Sequence, residues 1–295
     1  MEKNSRISYL FASLTVVFWS TSATAFKFAL RNLDYVQLLF LASGFSFIFY
    51  FVYLLVSRKL SLIRNLKLKD ILFLSLMGFL NPFLYYLMIF KAYELLPAQV
   101  AQPLNFIWPI ILVLLSVPLL GQKLHLKTII ALLISFVGVF FISSQGEFLS
   151  VKKSSTLGIV LALSSSVIWA AFWIFNIKRK LNEVVKLFVS FGFSFVYTLI
   201  FMAINGSSFQ FDLNGTLASL YISLFEMGLA FILWMKALKY AEKTSKVSNF
   251  IYLVPFGAVL VVRLVLKEQI FFSTLIGILL ILFGIFIQEY KAKSN

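Results

Sequence analysis

Ten apolar runs follow one another along this chain, each about 17 to 23 residues long, and no stretch between them exceeds about a dozen residues. At 1.5 Å per residue a helix of that length crosses a hydrocarbon core about 30 Å thick. Lipid offers no hydrogen-bond partner to the backbone, so runs of this kind are confined to helices. They lie at 8–30, 36–57, 70–92, 98–120 and 128–144, then at 157–177, 187–205, 216–238, 246–266 and 271–288. Apolar residues make up 61% of the chain and charged residues 13%, more apolar surface than a soluble fold of 295 residues hides. The expected fold class is an all-α membrane protein with ten transmembrane helices.

The last five runs echo the first five. GFSFIFY at 44–50 returns as GFSFVYT at 192–198, and LISFVGVFFI at 133–142 returns as LLILFGIFIQ at 279–288. Between them, Lys91, Ala92 and Pro109 recur as Lys236, Ala237 and Pro255. The spacing divides the chain into two five-helix repeats, 1–148 and 149–295, copied head to tail. Five is odd, so the second repeat is expected upside down, with a central cavity where the halves meet.

Loop charge sets the orientation. With the amino terminus cytoplasmic, the inside segments carry Lys3 and Arg6, five basic residues between Arg58 and Lys69, Lys123 and Lys127. They continue with Lys178, Arg179, Lys180 and Lys186, then Lys239, Lys243 and Lys246, and finally Lys291 and Lys293. That makes 18 inside, against Arg31, Lys152, Lys153 and Lys267 outside. Both termini are therefore expected in the cytoplasm, in a bacterial cytoplasmic (inner) membrane. The net charge of +15 is accounted for by these loops and not by a nucleic-acid surface. The stretch from Ile7 to Ala23, Thr24 and Ala25 has the outline of a signal peptide, but its repeat mate around Trp169 lies in mid-chain, so it reads as a retained helix.

Several chemistries are excluded. There is no cysteine, hence no disulfide, thiolate metal site or thiol nucleophile. No GxxxxGK[ST] phosphate loop is present, and the one histidine, His125, falls in a loop. No cofactor and no metal are expected. The partners implied are the lipid bilayer and a small-molecule substrate, with a homodimer left open.

Polar side chains at membrane depth need a protein partner or a wet cavity, so they map a pathway. Glu226 stands out, an acid halfway along the eighth run, where an ionised group costs about 2.5–3.5 kcal/mol on insertion scales. Its repeat mate is Asn81, which shares a helical stripe with Tyr85 and Met88. Glu226 is read as a proton-accepting carboxylate or a ligand for a cationic group, against a structural reading in which it pairs with Asn81 or a lysine. In the first run Trp19, Ser20 and Thr24 are candidates, Ser20 and Thr24 one turn apart; close helix packing is the alternative role for such hydroxyls. The fourth run offers Gln99, Gln102, Asn105 and Trp108, the sixth Trp169, Trp173 and Asn176 along one face, and the ninth Ser245, Ser248, Asn249 and Tyr252. Pro109 and Pro255 bias the fourth and ninth helices to kink at matching positions, as gates would. Lys27, Lys91, Lys236 and Arg263 lie near helix ends and are expected to snorkel.

Together these features resemble the EamA family of the drug/metabolite transporter superfamily. The resemblance rests on the tryptophan-bearing first helix of each half, the lysine-alanine ends of helices three and eight, and the proline-centred helices four and nine. It rests also on LLGQKL at 119–124 and VLKEQI at 265–270, which are similar to the family's leucine-glycine-glutamate loop, with Gln122 in place of its glutamate and Lys267 in place of its glycine. It implies alternating access and export of amino acids or other small metabolites. The competing classes are a channel and an intramembrane enzyme.

Overall fold

The fold, taken from a computed structural model, is described for residues 5–121, 126–145, 155–177, 179, 181–206, 209–241, 247 and 249–289. Among these every regular element is helical. In chain order they are α1 (Ser5–Ala29), α2 (Tyr35–Val56), a single turn α3 (Ser61–Arg64), α4 (Leu68–Gly78), α5 (Tyr85–Leu95), α6 (Ala98–Asn105) and α7 (Trp108–Leu120). There follow α8 (Leu126–Ser144), α9 (Thr156–Ile177), α10 (Glu183–Ile204), α11 (Leu213–Tyr221), α12 (Ala230–Tyr240), α13 (Val254–Val261) and α14 (Phe272–Glu289).

Among the described residues seven continuous segments are long and apolar enough to cross a membrane: α1, α2, Leu68–Leu95, Ala98–Leu119, Thr156–Asn176, α10 and Leu213–Tyr240. The fifth, ninth and tenth expected spans correspond to shorter apolar segments, Ile129–Ile142, Phe250–Leu266 and Phe272–Ile287. The ninth is also irregular, a 3-10 turn (Asn249–Leu253) leading into α13 and then a π turn (Val262–Leu266). Large apolar side chains face outward along these helices, among them Leu133, Phe136 and Phe140 of α8 and Leu279, Phe283 and Phe286 of α14. That is the surface of a multi-pass membrane protein, in which lipid replaces water outside.

Repeated sequence becomes reciprocal packing. Gly44 of α2 leaves room for the ring of Phe195, and its mate Gly192 of α10 leaves the same room for Phe47; a Cβ at either glycine would meet that ring at 3.0 Å. Phe40 stacks on Phe195 at 5.0 Å and Phe47 on Phe188 at 4.8 Å. As one partner's number rises the other's falls, so these equivalent helices run antiparallel. Their N-caps are equivalent too. The Asp34 carboxylate accepts from the N–H groups of Val36 and Gln37, and the Asn182 side chain from those of Val184 and Val185. A second antiparallel pair, α8 and α14, meets at Gly138, Gly277 and Gly284. Small residues let two backbones approach closely where lipid supplies no hydrophobic drive.

The two resembling loops also share a backbone device. Gly121 ends α7 in the left-handed conformation, φ 68°, and its mate Lys267 takes φ 57° after the last π turn. A side chain in that region costs about 1–2 kcal/mol, which glycine avoids at a smaller entropic cost. Lys267→Gly is therefore expected to raise stability by about 0.5–1 kcal/mol, read as a higher midpoint of thermal unfolding; an unchanged or lower midpoint contradicts the argument.

Candidate functional site

The two longest segments, Leu68–Leu95 and Leu213–Tyr240, are each interrupted near the middle. Between α4 and α5 the chain forms a π turn, Phe79–Leu84, in which Asn81 is extended (φ −146°, ψ 119°) ahead of Pro82. Between α11 and α12 lies a second π turn, Ile222–Leu229, containing Glu226. Such turns recur at functional sites because they re-aim side chains within a helix. This one brings Glu226, 6% exposed, into the wall of a central cavity of about 60 Å³. Tyr50 of α2 holds the turn from outside, its hydroxyl donating to the Met227 carbonyl at 2.5 Å.

Aromatic rings make most of the cavity wall. All five tryptophans of the chain line it: Trp19 of α1, Trp108 at the start of α7, Trp169 and Trp173 of α9, and Trp234 of α12. Phe231 joins the equivalent pair Trp19 and Trp169, its ring 6.2 Å from one and 5.6 Å from the other, both edge-on. Trp169 packs in turn on Tyr85 at 4.7 Å. Edge-to-face contacts of this kind hold rings in place beyond what their burial contributes.

The polar groups of the wall are mostly paired. Tyr86 donates its hydroxyl to both carboxylate oxygens of Glu226 at 2.8 Å. Tyr85 donates to Asn105 Oδ1 at 3.2 Å, Asn105 Nδ2 donates to Ser165 Oγ at 2.8 Å, and Tyr93 donates to Gln102 Oε1. Trp173 Nε1 is buried with no hydrogen-bond partner among the described residues.

The cavity brings together Trp19, Tyr85, Gln102, Asn105, Trp169, Trp173 and Glu226 of the residues expected from sequence. Ser20 and Thr24 face elsewhere. Ser20 donates to the Val254 carbonyl at 3.4 Å and sits where a Cβ on Gly257 would go, so it packs α1 against α13. Thr24 borders a separate groove with Tyr221 and Val261. Ser22, between them, is the α1 hydroxyl at the cavity. Asn81 is buried behind the wall with its Oδ1 unpartnered, and Tyr252 packs against apolar neighbours. Glu226 is paired with Tyr86, neither with Asn81 nor with a lysine. Ser248 lies outside the described residues. Sequence reasoning also passed over Tyr86, Tyr93 and Trp234.

Pro109 and Pro255 occupy the first turns of α7 and α13, immediately after breaks at Phe106–Ile107 and at the 3-10 turn. Lacking an N–H, each suits a helix start, so the interruptions precede the prolines. Lys27 departs from the snorkelling expectation: its ammonium donates to the Tyr93 carbonyl at 2.7 Å. Lys91 is held by Glu94 at 3.1 Å, Lys236 lies 5.6 Å from the Phe11 ring, and Arg263 donates to the Glu268 carbonyl at 3.2 Å.

The ends of the molecule differ. At one, the Glu268 carboxylate accepts from the N–H groups of Ala98 and Gln99 at the start of α6, where a helix has free donors and a positive dipole end. The Gln99 side chain donates to the Gln269 carbonyl at 2.6 Å and accepts from the Phe271 N–H at 3.0 Å and the Thr274 hydroxyl at 3.3 Å. At the other end a groove reaches Trp173 and is lined by Lys59, Arg179, Lys186, Lys236 and Lys239. There Arg179 pairs with Asp70 at 3.3 Å and Lys186 with Glu183 at 2.8 Å.

Known proteins share this plan. Over 247 residues the chain is 28% identical to the uncharacterized transporter YvbV of Bacillus subtilis (strain 168), covering 82% of this chain and 80% of the relative. It is 25% identical to an uncharacterized transporter of Clostridium kluyveri over 298 residues, 97% of this chain and 94% of the relative. A solved crystal structure superposes with a TM-score of 0.69 at 19% identity, covering 98% of this chain and 99% of the other. The model of the EamA-like transporter family matches twice, over residues 6–144 and 156–288. The cavity is walled by five tryptophans and one carboxylate, and the chain that builds it belongs to the EamA-like transporter family.

Proposed function

We propose that the chain is a secondary carrier with ten spans in two inverted five-helix halves, 1–148 and 149–295, moving a small metabolite through the central cavity by alternating access. The observation that carries this reading is the placement of Glu226. A buried carboxylate is costly in a membrane core and marks a substrate or proton path by default. Here it sits in a helix interruption mirrored in the other half, at a cavity walled by helices of both halves. The antiparallel packing of α2 on α10 and of α8 on α14 supports the inversion. The end closed by Gln99 and Glu268 is outside and the basic groove is inside, in keeping with the loop charges, and both termini are cytoplasmic. Glu226 couples transport to protons, and the substrates, amino-acid-like or hydrophobic metabolites, move outward, as the family resemblance implies.

Saturable counterflow in proteoliposomes tests the carrier reading. Uncoupled conductance would make the protein a channel, and chemical turnover of a lipid or peptide would make it an enzyme. Glu226→Gln keeps the shape and the Tyr86 contact but removes the charge. An amide takes up and releases no proton near neutral pH, so uptake driven by a pH gradient is expected to fall about tenfold or more. Unchanged gradient-driven uptake in the folded variant would remove Glu226 from the mechanism.

A further inference from the structure

We propose that the cavity selects an organic monocation, an ammonium or quaternary ammonium group on an apolar or aromatic body without a carboxylate of its own. The proposal rests on the carrier reading and narrows its substrates from amino-acid-like or hydrophobic metabolites to cationic ones that carry no carboxylate. The wall contains one acid, Glu226, and among its described residues no lysine, arginine or histidine. A carboxylate offers roughly four lone-pair positions. The Tyr86 hydroxyl approaches both oxygens but brings no charge. A buried anion without a cationic partner in the protein is costly, and a cationic ligand supplies what is missing.

The surrounding rings favour the same ligand. Their faces carry negative quadrupole density, strongest for tryptophan, and cages of aromatic rings bind ammonium groups by that attraction. The chain has spent every tryptophan it contains on this wall. About 60 Å³ of cavity is room for roughly two waters, so it takes a primary ammonium group as it stands, and a quaternary head group with its methyl groups requires the wall to open further.

An amino-acid zwitterion fits less well. Its carboxylate would lie in the same enclosure as Glu226, a like charge with no guanidinium or ammonium to meet it. Trp173 Nε1, buried without a partner, supplies one neutral donor, suited to a hydroxyl or ether oxygen on the ligand's body. The basic groove at the inner end influences how fast a cation approaches more than which head group the cavity holds.

Because all five tryptophans line the cavity, intrinsic tryptophan fluorescence of the whole protein reports chiefly on this site, with Trp173 bordering the basic groove as well. Protein in nanodiscs would be titrated with choline, with its neutral carbon isostere 3,3-dimethylbutan-1-ol, and with glycine betaine, which adds a carboxylate. Choline is expected to give a saturable change at about tenfold or more lower concentration than either of the others. Glu226→Gln, verified as folded by its thermal midpoint, is expected to lose this preference while still responding to the alcohol. Equal affinity for the alcohol, tighter binding of betaine, or no saturable response to choline overturns the proposal. Counterflow of zwitterions but not of choline refutes the substrate class and leaves the carrier standing. Choline binding without any counterflow does the reverse.

Discussion

Gly277→Leu is expected to destabilise the fold by about 3 kcal/mol or more, because a core with no free space responds to added side chains with strain. A Cβ at Gly277 would meet the Gly138 carbonyl oxygen at 2.5 Å and collide with the Ile142 side chain. The carbonyl belongs to the backbone of α8, so relief requires the two helices to move apart. They touch again at Gly284, where a Cβ would meet the Ala131 carbonyl at 2.7 Å, so the separation would propagate along the pair. Gly206→Ala is the matched control. Gly206 has φ 64° with open space around its Cβ position, so alanine there costs about 1–2 kcal/mol through conformation alone. The midpoint of thermal unfolding and the monodispersity of the purified protein report both. A Gly277→Leu midpoint within a degree or two of the parent would mean that α8 and α14 pack differently from the contacts described.

The second large effect concerns the closed end. Gln99 is 2% exposed and its amide ties α6 to the chain at Gln269, Phe271 and Thr274. Gln99→Leu fills nearly the same volume but strips those three groups of their partner. Leaving a buried donor or acceptor unsatisfied costs about 1–3 kcal/mol each, so the closed arrangement loses about 3 kcal/mol or more relative to one in which water reaches them. Since the chain contains no cysteine, Ile89→Cys in the cavity wall introduces a unique thiol. In intact cells its labelling by a membrane-impermeant maleimide is expected to speed up about tenfold or more when Gln99→Leu is added, about 1.4 kcal/mol of the loss being enough. If the labelling rate does not change, these hydrogen bonds do not control access from outside.

Regular periodicity explains which parts of this molecule are readable from its sequence. The apolar runs and duplicated motifs depend on local composition, and the antiparallel pairs α2 with α10 and α8 with α14 form where those motifs repeat. The prolines were legible as interruptions for the same local reason. Stripes drawn at 3.6 residues per turn hold for Trp169 and Trp173 of α9, an unbroken helix, and both reach the cavity. They fail where the turn widens. An extended Asn81 and the π turn around it rotate α5 relative to α4, which puts Tyr86 on Glu226 and leaves Asn81 behind the wall. Pro82 biases Asn81 towards extended backbone and so marks a break there, but how the helix resumes beyond it cannot be read from these residues. Ser20 and Thr24 illustrate a different limit: a hydroxyl that packs α1 against α13 and a hydroxyl that faces a cavity look alike in sequence. A count of tryptophans would have been the better guide to Trp234.

The reciprocal seating of Phe195 at Gly44 and of Phe47 at Gly192 has a consequence for how such a molecule can arise. A surface on which each copy supplies both the ring and the gap is complementary to itself, the property of an isologous interface between identical subunits. Two separate copies of one half could meet through that surface without a linker. Identity, however, would force every residue near the axis to appear twice, and an acid in one π turn would be matched by an acid in the other, like charges that disfavour each other's ionisation. Joining the halves in one chain removes that obligation. It lets Asn81 stand as the mate of Glu226, so that the pairing surface stays symmetric while only one of the two π turns carries an acid.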